Sequence, residues 1–201
     1  MADYKFTQNW FADNQCPKNW PRVQQIVEAK SYLEVGSFEG ASTCWMVENT
    51  SVVSIVCIDT WEGGEEHKAI DMQSVESRFD HNMAVAKSKS SREVALIKQK
   101  GKSLQKLAEL IANGGSELFD CVYIDGSHRP ADVLADAILG FALLKPGGCI
   151  IFDDYCWTDS TTSDGINSAP KVGIDAFTTC FFNQVIFLNL PIGQIMCIKK
   201  Y

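Results

Sequence analysis

Short apolar runs alternate with longer stretches of helical periodicity through most of the chain. Runs at 32–35, 52–58, 94–97, 119–124, 149–152, 185–188 and 195–198 are rich in Val, Ile, Leu, Phe and Cys, and none is long enough for a helix of ordinary length, which predicts seven β-strands. Between the first five lie segments with apolar residues three and four apart, at 41–47, about 66–86, 104–111 and 130–144. A further one at 172–181 precedes the last two strands. The clearest is 130–144, where Val133, Leu134, Ala137, Ile138, Phe141 and Leu144 form one stripe, Pro130 stands in the first turn and KPGG stops the helix.

Strand and helix in alternation predict an α/β protein: a parallel sheet covered by helices on both faces and joined by right-handed crossovers. The ending follows a different rule. The runs at 185–188 and 195–198 are linked by a few residues that include NLPIG, too few for a helical crossover, so they predict an antiparallel hairpin. Ahead of the first strand, NWFADNQCPKNWPRVQQIVEAK predicts a helical cap whose Trp10, Phe11 and Trp20 either cover a site or finish the core. The expected organisation is a cap segment over 1–30 and a single domain over 31–201.

Composition narrows the partners. With 201 residues and 46% hydrophobic content the chain supports one buried core. A formal charge of −7 argues against general binding to nucleic acid or an anionic membrane, both of which need a basic surface, and favours a small-molecule partner. No apolar run approaches the roughly 18 residues of a membrane span, and MADYKFTQNW lacks a secretory pattern, so a cytoplasmic location is expected. Of eight cysteines, Cys57, Cys121, Cys149 and Cys197 fall inside apolar strand runs and no CxxC pair exists, which predicts reduced core thiols and no zinc site.

In open sheets of this kind ligands lie beyond the carboxyl ends of the strands. The residues there form a coherent set: Glu34-Val35-Gly36-Ser37-Phe38-Glu39-Gly40 after the first strand, Asp59-Thr60-Trp61 after the second and KQKGKS at the third. Asp125-Gly126-Ser127-His128 follow the fourth and Asp153-Asp154-Tyr155 the fifth. Three carboxylates at neighbouring strand ends repel one another unless a cation or proton offsets them, and a hard oxygen-seeking ion such as Mg2+ suits Asp125, Asp153 and Asp154.

This ordered set, with YIDGSH, LLKPGGCIIFDD and the terminal hairpin, resembles the class I S-adenosylmethionine-dependent methyltransferases over nearly the whole chain. DGSH followed by paired aspartates is similar to the divalent-metal-dependent O-methyltransferases of sugar or catechol-like hydroxyls. The resemblance implies a Rossmann-like, doubly wound seven-stranded sheet, S-adenosylmethionine and Mg2+ as cofactors, and a small-molecule or sugar hydroxyl as acceptor. It also implies that Gly36, Ser37 and Gly40 bring the backbone close to the cofactor's methionine portion, and that Glu34 meets its ammonium. Asp59 accepts from the ribose diol, Trp61 packs against the adenosine, and Gly101 and Ser103 line the adenine edge. Asp125 borders both cofactor and metal.

His128 stands where catechol-type relatives carry a lysine. It is the expected general base, because an imidazole with an ordinary pKa of about 6.5 is largely neutral near pH 7. Other readings of these residues stay open: Asp59 capping its own turn, Trp61 in the core, Ser103 capping a helix, and His128 orienting an aspartate. A dehydrogenase is disfavoured because the turn is GxxxG rather than GxGxxG and Glu39 would repel a phosphate. A metal-free methyltransferase and a noncatalytic cofactor-binding protein remain as alternative functions. His67 and Asp71, one turn apart in a second polar cluster, are expected at a solvated helix start.

Overall fold

The computed structural model describes residues 3–64, 67, 70–158, 165–190 and 193–201. Two helices, α1 (Trp10–Asp13) and α2 (Cys16–Ile26), precede β1 (Ser31–Val35). There follow α3 (Ala41–Asn49), β2 (Ser54–Asp59), α4 (Val75–Lys89), β3 (Ala95–Lys100), α5 (Ser103–Ala112), β4 (Phe119–Ile124), α6 (Pro130–Leu143), β5 (Leu144–Phe152), α7 (Pro170–Cys180), β6 (Val185–Asn189) and β7 (Ile195–Lys199). The seven strands form one sheet in the order β3-β2-β1-β4-β5-β7-β6. The first five are parallel to their neighbours, and β7 runs antiparallel to both β5 and β6, as the short hairpin link requires.

Why the strands read as unbroken apolar runs is visible in their alternation. Tyr32, Ile55, Cys57, Cys121, Tyr123, Cys149 and Ile151 face one core, packed on α2, α3 and α4. Leu33, Val35, Val56, Ile58, Val122, Ile124, Ile150 and Phe152 face the other, under α5, α6 and α7. In the central strands β1, β2, β4 and β5 both faces are covered, so neither set of alternate positions is left to water. Trp20 on α2 is fully buried and makes edge contacts with Phe11, Tyr32, Trp45 and Tyr123, so this aromatic of the expected cap lies in the core. Trp10 stays largely exposed. All eight cysteines are thiols, and six of them are buried.

Two boundaries differ from the sequence reading for local reasons. KPGG does end α6, but it already belongs to β5, because the chain passes from helix to strand at Leu144 without an intervening loop. The helix expected over 66–86 begins only at Val75, after a 3-10 turn at Met72–Ser74 whose amide at Gln73 is capped by Asp71; Glu66 lies outside the described residues. Part of the polar loop TDSTTSDGINSAP and the Pro191-Ile192 link also lie outside them. Among the described residues, no helix is long and apolar enough to cross a membrane.

Candidate functional site

Parallel strands place β1, β2, β3, β4 and β5 with their carboxyl ends along one rim, and the strand-end residues gather there in two halves. The first half is the turn after β1. Gly36 has φ +86°, and a Cβ there would lie 2.0 Å from the carbonyl oxygen of Asp125, so only glycine lets the turn cross the end of β4. Asp125 in turn donates its amide to the Val35 carbonyl. Gly40, at φ +80°, caps α3 where a Cβ would strike Met83.

The acids of this half are already satisfied. Asp59 accepts the amides of Ser37 and Phe38 on Oδ2, each at 2.8 Å, and that of Trp61 on Oδ1 at 2.7 Å. The indole of Trp61 donates to the Phe38 carbonyl, closing a clamp between the two loops, and its ring is buried against Phe79. Glu34 is fully enclosed and accepts hydroxyls from Tyr32 at 2.6 Å and from Ser42 and Thr43 at 2.9 Å. Burial pushes its pKa up to about 7, and those hydroxyl donors oppose the rise. Glu39 also turns away from the rim, accepting the amide and hydroxyl of Thr7 and pairing with Arg78, so it straps the N-terminal segment to the turn. Ser37 is buried, and its hydroxyl lies beside Glu34 and Cys57 without a hydrogen bond of full geometry to either.

Gly101 and Ser103 lie beside this half, at the end of β3 and the first residue of α5, with the Gly101 amide bonded to the Asp59 carbonyl. The N-cap of α5 is Lys102, not Ser103. Next to Ser103 stands Asp136, a buried acid on α6 whose pKa burial pushes up to about 7. Of the second polar cluster, Asp71 is exposed and caps the 3-10 turn that leads into α4, as expected, whereas the His67 ring stacks on Phe38 and contacts Trp10.

The second half is less settled. Tyr123 on β4 and Asp125 just past its end, two apart, point to the same side, and the Tyr123 hydroxyl meets both Asp125 Oδ2, at 3.1 Å, and Asp153 Oδ2. Asp153 faces inward. Its carboxylate accepts Gln194 Nε2 at 3.1 Å, the Cys16 thiol at 3.7 Å and the amide of Asp154. Asp154 has φ +54° and faces outward, with Oδ2 3.0 Å from His128 Nε2; the His128 ring packs on Trp157.

The three groups that converge are therefore Asp125, His128 and Asp154, whose ligand atoms lie within 4.8 Å of one another. Two of the three expected aspartates belong to this group together with His128, while Asp153 lines the same space with its carboxylate engaged by Cys16, Gln194 and the amide of Asp154. A cavity of about 10 Å³, the scale of one water or one small cation, is lined by Asp125, His128, Asp153, Asp154 and Pro170. Burial, then the neighbouring Asp153 and Asp154, raise the pKa of Asp125 well above the ordinary carboxylate range; burial, then Asp154, raise that of Asp153.

These donor sets fit the groups the fold family implies. Two carboxylates and an imidazole suit a divalent cation that would relieve their repulsion. A buried hydroxyl at Ser37 without a partner of full hydrogen-bond geometry, in a turn held open by two left-handed glycines, suits a polar ligand on the rim. Tyr123 could have been suspected from its spacing to Asp125, whereas Cys16 and Gln194 carry no local signal, being 137 and 41 residues from Asp153.

A family model described as a methyltransferase domain matches residues 33–155. An uncharacterized protein of Acanthamoeba polyphaga mimivirus is 25% identical over 125 residues, and the match spans 62% of this chain and about half (51%) of that relative. Among solved structures, the fold is similar to that of an O-methyltransferase from Bacillus cereus in complex with SAH, with TM-score 0.63, 21% identity, and coverage of 99% of this chain and 84% of that one. It is also similar to MycE methyltransferase of the mycinamycin biosynthetic pathway in complex with Mg, SAH and mycinamycin VI, with TM-score 0.58, 16% identity, and coverage of 98% and 51%.

Proposed function

The chain belongs to the methyltransferase-domain family, and from that premise we propose that it transfers a methyl group from S-adenosylmethionine to a hydroxyl oxygen of a small molecule or sugar, assisted by a divalent cation such as Mg2+. The observation that carries this reading is the convergence of Asp125, His128 and Asp154 at the ends of adjacent strands, inside or next to the span that the family model matches. The names of two structural neighbours, one with SAH and one with Mg and SAH, support the same pair of ligands. Six buried thiols suit a reducing cytoplasm.

When bound, the cofactor supplies an electrophilic sulfonium methyl, and the cation lowers the pKa of the acceptor hydroxyl. Asp125 and Asp154 would hold the cation, with Asp153 fixing Asp154 through its amide. Ser37 and the amides of the 36–40 turn would receive the methionine portion, Asp59 the ribose through lone pairs its three amides leave free, and Gly101 and Ser103 the adenine edge. His128 takes the acceptor proton on its imidazole, and Asp154 orients the ring and steadies the imidazolium that forms. The segment ahead of β1 would serve as a cap on the 31–201 domain, a reading supported by the Thr7 bonds that strap it to Glu39 of the 36–40 turn. Positioning of donor and acceptor would supply a large part of the barrier lowering, roughly 7–11 kcal/mol in favourable systems.

The ligand cluster favours a second role for His128, as the third metal ligand. Calorimetric titration separates the roles. Purified protein should bind S-adenosylhomocysteine, methylate a catechol and lose that activity to a chelator, with Mg2+ restoring it. His128→Gln should keep its Mg2+ affinity if the imidazole is the base and lose it if the imidazole is a ligand, with turnover falling about 10²–10⁴-fold for a base. No binding of S-adenosylhomocysteine would sink the methyltransferase reading; full turnover in metal-free protein would remove only the cation.

A further inference from the structure

The two edges of the sheet are built differently. At one edge β3 carries Lys98 and Lys100, paired with Glu76 and Asp80, and such charges deter another strand from adding. At the other, β6 reads VIFLN within NQVIFLN, without a single charge or proline. Ile186 and Phe187 are 50% and 49% exposed there, and Phe182 just before the strand is 66% exposed.

The hairpin fixes which backbone groups this edge presents. Lys200 donates to the Gln184 carbonyl and Leu190 to the Gln194 carbonyl, bracketing a register in which Ile186 faces Ile198 and Leu188 faces Met196. In an antiparallel pair the bonded positions alternate, so even-numbered residues of β6 bond inward to β7. The amides and carbonyls of Val185, Phe187 and Asn189 point outward.

From this pattern we infer that β6 is a self-association surface, on which a second copy of this chain adds its own β6 antiparallel about a two-fold axis at Phe187. That register is self-complementary. Val185 faces Asn189 of the second copy and Phe187 faces Phe187, each facing pair exchanging two hydrogen bonds, while Ile186 packs beside Leu188 of the second copy. Both faces of the joint then set apolar side chains against apolar side chains, apart from Asn189. The chain carries a net charge of −7, so most patches would meet a like-charged copy. An uncharged strand edge is where two copies can pair without that repulsion. The partner must offer a strand of matching parity and no charge, and β6 itself meets both conditions.

Sedimentation velocity over a range of concentrations, combined with residue-resolved amide exchange, tests this. The wild-type chain should form a dimer, and the amides of Val185, Phe187 and Asn189 should slow in exchange as the dimer fills, while those of Ile186 and Leu188 stay protected at every concentration. Phe187→Lys should sediment as a monomer with its thermal transition retained. Phe187→Pro, which removes only an outward amide, should do the same and guards against a misfolded lysine variant. A wild-type chain that stays monomeric at its solubility limit overturns the inference. So does a dimer that survives both variants, or one in which the odd-numbered amides exchange freely, or capture of a foreign peptide strand at β6 in place of a second copy.

Discussion

The two halves of the rim hold similar numbers of acids in opposite states. Around β1 and β2, Glu34 rests among three hydroxyls, Asp59 among three backbone amides, and Glu39 between Thr7 and Arg78. Around β4 and β5, Asp125, Asp153 and Asp154 crowd one another, with one tyrosine hydroxyl between two of them. A hydroxyl has one proton to donate, so Tyr123 satisfies one of these carboxylates as a donor and cannot serve both. The first half is therefore a finished scaffold that shapes a turn. The second keeps unspent electrostatic repulsion that a cation or proton relieves, and functional sites characteristically retain such local conflict.

The largest test of that contrast is Asp125→Asn. In the crowded half it should lower turnover by about 10²-fold or more, since loss of even a supporting group costs a metal site up to that much and Asp125 would hold the cation directly. At the same time it should raise the melting temperature of metal-free protein, since one of three repelling groups loses its charge. A lower melting temperature would mean that Asp125 is as well satisfied as Glu34, and the contrast would collapse.

Next comes the pH dependence of the finished half. Glu34 titrates near 4.5 when exposed and at about 7 when folded, so the folded chain holds a proton that the unfolded chain has lost between those values. Its stabilising contribution is complete below about pH 4.5 and is lost as pH rises through about 7, amounting to about 3 kcal/mol over the window. Asp136 acts in the same sense between 3.8 and about 7. Denaturant titrations at the two ends of the window should show the decline, and Glu34→Gln should make it shallower without removing it. An unchanged slope in that variant would mean that Glu34 is ionised inside the core.

A smaller effect is expected at Asp59. Asp59→Ala unties Ser37, Phe38 and Trp61 together, so it should cost about 1–3 kcal/mol of stability as well as affinity for S-adenosylhomocysteine. Loss of affinity with an unchanged denaturation midpoint would show that the amide bonds contribute nothing and that the carboxylate serves the ligand alone. The smallest change belongs to Trp10→Ala. Trp10 is 43% exposed and touches Phe38 and His67 at the surface of the turn, so stability should move by about 0.5 kcal/mol or less. A larger loss would make α1 part of the scaffold, as Trp20 is on α2.

Much of this architecture was legible without coordinates, for a reason of periodicity. Apolar strand runs and amphipathic helices in alternation leave a parallel, doubly covered sheet as the economical packing, and such a sheet brings the ends of β1 to β5 to one rim. Glu34, Asp59, Asp125 and the Asp153-Asp154 pair follow from counting to the end of each run, and the short link after β6 dictated the hairpin. What remained hidden was the direction each side chain takes on leaving its strand. Asp153 is turned inward by Cys16 and Gln194, and no local pattern announces contacts between residues so far apart. Asp59 binds the amides of the β1 turn because β1 and β2 are neighbours in register, with Val35 facing Ile58. Trp61 sinks onto Phe79 once α4 crosses that face. Sequence determines the elements and the order in which their ends meet, because backbone hydrogen bonding and hydrophobic periodicity are local; the tertiary structure decides which of the gathered acids are neutralised within the protein and which stay available, because that depends on donors delivered from distant segments.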